Sequence, residues 1–276
     1  MRFSLFAILA LLLTLTGCDN STDAQKNQQN PSPRTAPGES ASPSSNPPQA
    51  DLDATAQTLE RRLPGCDGED CPAVSVTWPA FAQRDALNQA VEKQLIRQLA
   101  GNGEDDGSQA TSLAGVADAF LADASNLPNG AAHGWQLTGE AKLLARRGDL
   151  ATVRIETYEF TGGAHGMPAT HWLNWDLATD RPVALGDILQ PGQEHAFWAV
   201  AQAAHQQWLE DEANADDDFR GAWPFQKTGD FRLTDNGVRL LYGVYTLGPY
   251  VMGMPELTLP REDLQGVVKA KFLSGE

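Results

Sequence analysis

Short catalytic signatures are missing from this chain of 276 residues. It has no Gly-x-Ser-x-Gly elbow, no His-Glu-x-x-His pair and no phosphate-binding loop, so the enzyme classes that announce themselves by such motifs lose their usual support. A carboxylate pair leaves no short motif, and chemistry of that kind stays open. Cysteine is scarce, at three residues. Cys66 and Cys71 have four residues between them, not the two of redox and zinc motifs, and in an oxidising compartment they would close a structural clip over a short loop. Basic residues are few, 20 against 36 acidic ones, for a formal net charge of -16. The first 50 residues hold as many bases as acids, so the whole excess lies in residues 51–276. Such acidity excludes nucleic acid as a natural partner, disfavours anionic lipid and favours basic proteins; keeping an exported protein soluble is the plainer reading.

The apolar run Phe3–Leu15 after Arg2 is too short and too abruptly ended to span a membrane comfortably, and reads as a secretion signal over residues 1–17. It closes on Leu15-Thr-Gly-Cys18, which is similar to a bacterial lipobox; an uncleaved anchor helix is the competing reading. The motif implies that Cys18 carries acyl chains and begins the mature protein, held on a membrane of the cell envelope and facing the periplasm. Asp19 resembles an inner-membrane retention signal. From Asp19 to Ala50 the apolar side chains are alanines among Pro, Ser, Asn and Gln. Residues 18–50 are therefore expected to be a lipid anchor and disordered tether, with a reach on the order of 100 Å at about 3.1 Å per residue.

The remaining chain has seven tryptophans and ten phenylalanines in the whole sequence to draw on, enough to build a core. Ala73–Trp78 alternates as a strand that Pro79 should end, and Asp85 should cap a helix burying Leu87, Val91, Leu95 and Leu99 before Gly101. Asn102–Gly107 has a faint likeness to a calcium loop, but Leu113 stands where the bidentate acid belongs. Ser112 opens a second helix with Leu113, Val116, Ala117, Phe120 and Leu121 on one face; Trp135–Ala145 and Leu150–Phe160 then form a hairpin. Farther on, Pro191 should start a helix whose apolar face is Phe197, Val200, Ala201, Ala204 and Trp208, flanked by His195 and His205 as surface or edge residues. Glu210–Asp218 holds six acids in nine residues, a solvated helix end or a docking patch for a basic partner. Asn236-Gly237 joins strands Asp230–Thr234 and Val238–Tyr245, followed by strand Glu256–Leu259 and a short helix from Arg261. The sum is an α+β fold of antiparallel sheets with packed amphipathic helices, in two small domains, residues 51–180 and 181–276.

The hairpin delivers the chain to Tyr158-Glu-Phe-Thr-Gly-Gly-Ala-His-Gly-Met-Pro168. Gly162, Gly163 and Gly166 open backbone angles closed to other residues and leave His165 as the large side chain of the loop. Either this is a small polar site of imidazole and backbone N–H groups, or a structural turn that ties the ring to its neighbours. Tyr245-Thr-Leu-Gly-Pro-Tyr250, with Gly253, is a second stretch of aromatics and glycines, and Tyr245 and Tyr250 join the candidate binding or structural loop.

Together Phe160–Gly166, Asn174–Thr179, Leu185–Leu189 and Tyr245–Tyr250 resemble the tandem exported domains of RsiV-type anti-sigma factors, the second being the family called domain of unknown function 3298. The first is similar to the accessory domain of PdaC-type peptidoglycan deacetylases. The resemblance runs from about Ala73 to Lys271 and implies a junction just after Trp175–Asp180. In RsiV-type proteins the exported region binds lysozyme. No cytoplasmic segment precedes the signal here, so anti-sigma activity is not expected, and a deacetylase catalytic domain is missing. Two functions follow. One is a non-catalytic envelope module that binds a lysozyme-like muramidase, another basic envelope protein or a cell-wall component, without cofactor or metal. The other is a cell-wall hydrolase or deacetylase-like enzyme using His165 with a nearby carboxylate, which a convergent His-Asp or His-Glu pair at that loop would favour.

Overall fold

The computed structural model describes residues 52–101, 110–128, 130–213 and 215–274. The signal, Cys18, the tether and the Asn102–Gly107 loop lie outside the described residues. The fold is α+β, with a six-stranded and a three-stranded sheet.

The first sheet runs β1 (Ala54–Arg62), β2 (Ala73–Phe81), β3 (Gln136–Arg147), β4 (Leu150–Phe160), β5 (Met167–Asp176), β6 (Arg181–Pro182), in that spatial order. Every neighbouring pair is antiparallel except β2 and β3. The fold is thus the expected α+β one of mainly antiparallel sheets, and the cause of the one parallel pair is the connection. Two helices, α1 (Asp85–Leu99) and α2 (Leu113–Ser125), carry the chain back across one face, and such a crossover returns a parallel strand. Leu87, Val91, Leu95 and Leu99 of α1 are buried, as are Leu113, Val116, Ala117, Phe120 and Leu121 of α2, against Val74, Val76, Ala141, Val153 and Ile155 of the sheet. Ser112 caps α2, its hydroxyl accepting the Gly115 N–H at 3.1 Å. At α1 the cap position falls on Arg84, whose side chain makes no capping bond and donates to Leu177 O instead, and Asp85 is the first helical residue, where its charge suits the helix dipole.

Pro79 does not end β2. The Ala82 N–H donates to Asp53 O, so even-numbered residues of β2 face β1 and odd ones face away. Pairing with β3 stops at Thr77, so the missing N–H of Pro79 points where no ladder remains. Cys66 and Cys71 are joined, S–S 2.12 Å, in the connection from β1 to β2.

The second sheet is β7 (Phe231–Thr234), β8 (Gly237–Leu241) and β9 (Glu256–Pro260), all antiparallel. α3 (Leu185–Ile188), α4 (Glu194–Asp211), α5 (Asp217–Ala222) and α6 (Ala270–Leu273) accompany it, and α4 packs on β9. α4 starts three residues after Pro191 because Gly192 sits at φ +77° in an intervening turn. β8 ends at Leu241, short of Tyr245, since its partner β9 begins at Glu256. Phe197, Trp198, Trp208, Phe231, Tyr242 and Leu257 fill this second core.

Where the sheets meet, Asn174 is 3% exposed, and both polar atoms of its side chain are bonded. Its Oδ1 accepts the Thr152 hydroxyl at 2.7 Å, its Nδ2 donates to Phe231 O at 2.7 Å, and its carbonyl accepts the Val183 N–H. The next two residues shape the turn into β6. Buried Trp175 donates its indole N–H to Asp180, and Asp176 accepts the N–H groups of Thr179 and Ala178. Those bonds, Thr179 foremost, hold the Asp176 carboxyl below its ordinary range.

Candidate functional site

The turn between β4 and β5 needs its glycines. Gly162 and Gly163 stand at φ +98° and +90°, a region that side chains rarely adopt. Gly166 is required for space, since a Cβ there would lie 2.6 Å from the Glu159 carbonyl oxygen and closer still to the Tyr158 ring. The chain therefore turns tightly and lifts His165 outward, exposed.

A second loop, after β8, comes to meet it. Leu247 is fully buried and anchors the loop, a 3-10 turn spans Tyr250–Met252, and Gly253 at φ +65° ends that turn. Tyr245 itself sits at φ +61°, costly for a residue with a Cβ and held by what its ring meets. Its hydroxyl lies 3.2 Å from His165 Nε2. Tyr250 stacks on the imidazole, centroids 3.7 Å apart at 17°, and donates its hydroxyl to Gly166 O at 2.8 Å. His165 Nδ1 is 3.1 Å from the same carbonyl, which only accepts, so Nδ1 donates to it, and Nε2 faces the Tyr245 hydroxyl. The ring has a partner on each nitrogen.

Residues 80 apart in the chain thus form one aromatic group, and it bears an apolar rim. Tyr245 is 46% exposed, Val251 85% and Met167 45%; the described residues show only two other large exposed hydrophobics, Leu127 and Leu144. Tyr245, Tyr250, Gly162, Gly163, His165 and Gly166, candidates from the sequence, are all brought together, and Met167 and Val251 join them. The two newcomers had no signal in the sequence, because an isolated Met or Val reads as core until its exposure is known.

The histidine that contacts a carboxylate is another one. His171 Nδ1 lies 2.7 Å from Asp230 Oδ1, which also accepts the Trp172 N–H at 2.9 Å. No group of three or more His, Cys, Asp or Glu placed to hold a metal occurs among the described residues. His195 is exposed, as expected. His205 is not an edge residue: it is 2% exposed, packed between Trp208 and Phe225, with neither ring nitrogen bonded. Burial first, and then the positive charge of Arg220, lower its pKa below the ordinary value, so the ring is neutral. The buried Tyr242 hydroxyl is also unbonded, and burial pushes its pKa well up. The Leu185–Leu189 motif lines a separate depression of about 500 Å³, together with Pro191, Trp198 and Lys269.

Residues 186–262 match the model of the family described as "Protein of unknown function (DUF3298)". A solved DUF3298 family protein of Pseudomonas aeruginosa is 34% identical, with 82% of this chain and 98% of that one aligned at a TM-score of 0.71. A DUF3298 member from Bacteroides fragilis, 21% identical over 81% of this chain and 97% of its own at a TM-score of 0.58, shares the fold. No curated protein matches the chain. With that identity maintained over nearly the whole folded region, the chain belongs to the DUF3298 family.

Proposed function

We propose that this protein is a cell-envelope lipoprotein, anchored through Cys18, whose folded part is a non-catalytic binding module with its contact surface on the paired loops around His165, Tyr245 and Tyr250. The observation that carries the reading is the exposure of Tyr245 and Val251 on a loop fixed by specific bonds and of Met167 at the start of β5, next to the glycine turn. Rigid aromatic side chains in an exposed apolar patch are the usual make-up of an interaction hot spot. The His165 ring is occupied by a carbonyl and two tyrosines, so it serves to position the aromatics.

The partner we favour is a basic envelope protein of the lysozyme type. The net charge of -16 would speed its encounter, and the resemblance to RsiV-type domains points the same way. The test is binding of the protein to a C-type lysozyme, with cytochrome c as a control of similar charge. We expect lysozyme binding that weakens steeply with salt and falls at least about tenfold in Tyr245→Ala, the effect of losing one hot-spot side chain. Equal binding to both proteins would reduce the reading to nonspecific attraction. A His165→Ala variant that keeps its stability but loses binding supports the site, whereas one that only melts earlier makes the loop structural.

A further inference from the structure

β1 is the outermost strand of the six-stranded sheet, and along its free edge one outward carbonyl, that of Glu60, is engaged, by the Arg61 guanidinium at 3.0 Å. Asp53 O accepts the Ala82 N–H, so odd-numbered residues of β1 turn their backbone groups to β2 and even-numbered ones turn theirs outward. Among the described residues, the outward N–H groups of Ala54, Ala56, Thr58 and Glu60 have no partner. Natural edge strands are blunted by proline, inward charges, bulges or shortness. β1 is nine residues long, pairs with β2 without a register shift, and from Ala54 to Leu59 carries neither charge nor proline. The edge of β5, by contrast, has Pro168 and is engaged through the Trp172 N–H by Asp230.

We propose that this edge pairs antiparallel with β1 of a second copy of the chain, about a twofold axis at Gln57, joining two six-stranded sheets into one. The register follows from the backbone. Both strands exchange bonds only when even residues meet even residues, and a pair centred on Gln57 sets Ala54 against Glu60 and Ala56 against Thr58 of the other copy. The charges at the strand ends select this alignment. Exposed Asp53 falls opposite exposed Arg61 of the second copy, twice by symmetry; among the described residues neither has an ion pair, and Arg61 would exchange its bond to the Glu60 carbonyl for Asp53. Leu59, buried beneath the helices, would lie beside Thr55 of the second copy. Such a contact is isologous and closes on itself. Like net charge opposes it, so added salt should strengthen it, the reverse of the salt response expected for a basic partner.

The experiment is cross-linking by single cysteines in the full chain under a mild oxidant. Opposed residues of a non-hydrogen-bonded antiparallel pair have Cα atoms about 4.5 Å apart, within disulfide reach. Gln57→Cys should therefore give a covalent dimer. Thr55→Cys should not, since the two copies of residue 55 would be displaced by four residues, roughly 13 Å. Ala56→Pro added to Gln57→Cys should abolish the dimer; it removes an outward N–H and spares the β1–β2 ladder, and an unchanged melting temperature will show that it folds. Asp53→Arg should reduce cross-linking, and Asp53→Arg with Arg61→Asp should restore it. Equal cross-linking at positions 55 and 57, none at 57, or a cross-linked band of another protein's mass would each overturn the proposal.

Discussion

The two cores differ in what they are made of. Under the six-stranded sheet lie mainly aliphatic chains, Leu87, Val91, Leu95, Val153 and Ile155, and its buried polar pair Thr152 and Asn174 is satisfied. Beside the three-stranded sheet the core is also mainly aliphatic but holds more rings, Phe197, Trp198, Trp208, Phe231 and Tyr242, and among them His205 and Tyr242 hold unbonded polar atoms. Unpaired buried groups cost about 1–3 kcal/mol each. The first core should therefore be the sturdier half, and the second the half that loses stability first as the pH falls, since His205 answers below about 6.5 and Asp176 of the first sheet only in more acid solution.

Truncation inside each core is the largest perturbation. Leu95→Ala and Phe197→Ala should each cost about 2–5 kcal/mol. Hydrogen exchange will show whether each loss stays in its own half; a uniform loss of protection from either variant would mean a single cooperative unit and erase the distinction. Asn174→Ala comes next, at about 2–4 kcal/mol, since it strands the Thr152 hydroxyl and Phe231 carbonyl. That variant should lower the denaturation midpoint and loosen exchange in β5 and β7 together.

Acid sharpens the contrast. The folded pKa of His205 is lowered, so the unfolded chain binds more protons once the pH drops below about 6.5. Stability is complete above that value and declines as pH falls from it to the folded pKa, by at most about 1.4 kcal/mol per pH unit. Thermal melts of His205→Phe should lose this component; an identical slope in both proteins would remove His205 as its source. The smallest effect is expected of Tyr245→Phe, which deletes one exposed hydroxyl contact and should shift stability by less than about 1 kcal/mol.

The helices and hairpins were readable because their periodicity is strong: the four-residue spacing of Leu87, Val91, Leu95 and Leu99 needs one buried face and nothing else. β1 was missed for the opposite reason. Only Leu59 of its nine residues is buried, so Ala54–Arg62 has no alternation to read. His205 was misplaced although the signal existed, for it follows Phe197 and Ala201 at four-residue steps on the face that Trp208 continues. Both halves of the loop site were visible as glycine-aromatic runs, but their meeting depends on how β5 and β7 sit together through Asn174 and Asp230. No local pattern encodes that placement. The parallel β2–β3 pair was hidden for a similar reason, as it depends on where two helices return the chain.

The strand that leads into the fold is also the one that any pull on the N-terminal segment would load. Force arriving through Leu52 acts first on the bond from the Ala82 N–H to the Asp53 carbonyl at the end of the β1–β2 ladder, and bonds loaded in sequence yield singly instead of sharing the strain. Peeling would proceed along β1 to Arg62 and then reach the connection closed by Cys66–Cys71, a covalent stop that shortens the extensible length. The helices and strands β3 to β6 are out of that line of action. The protein thus has a compliant first strand in front of a stiff body, and a pull arriving through Leu52 would be absorbed by β1 while the loops at His165 keep their shape.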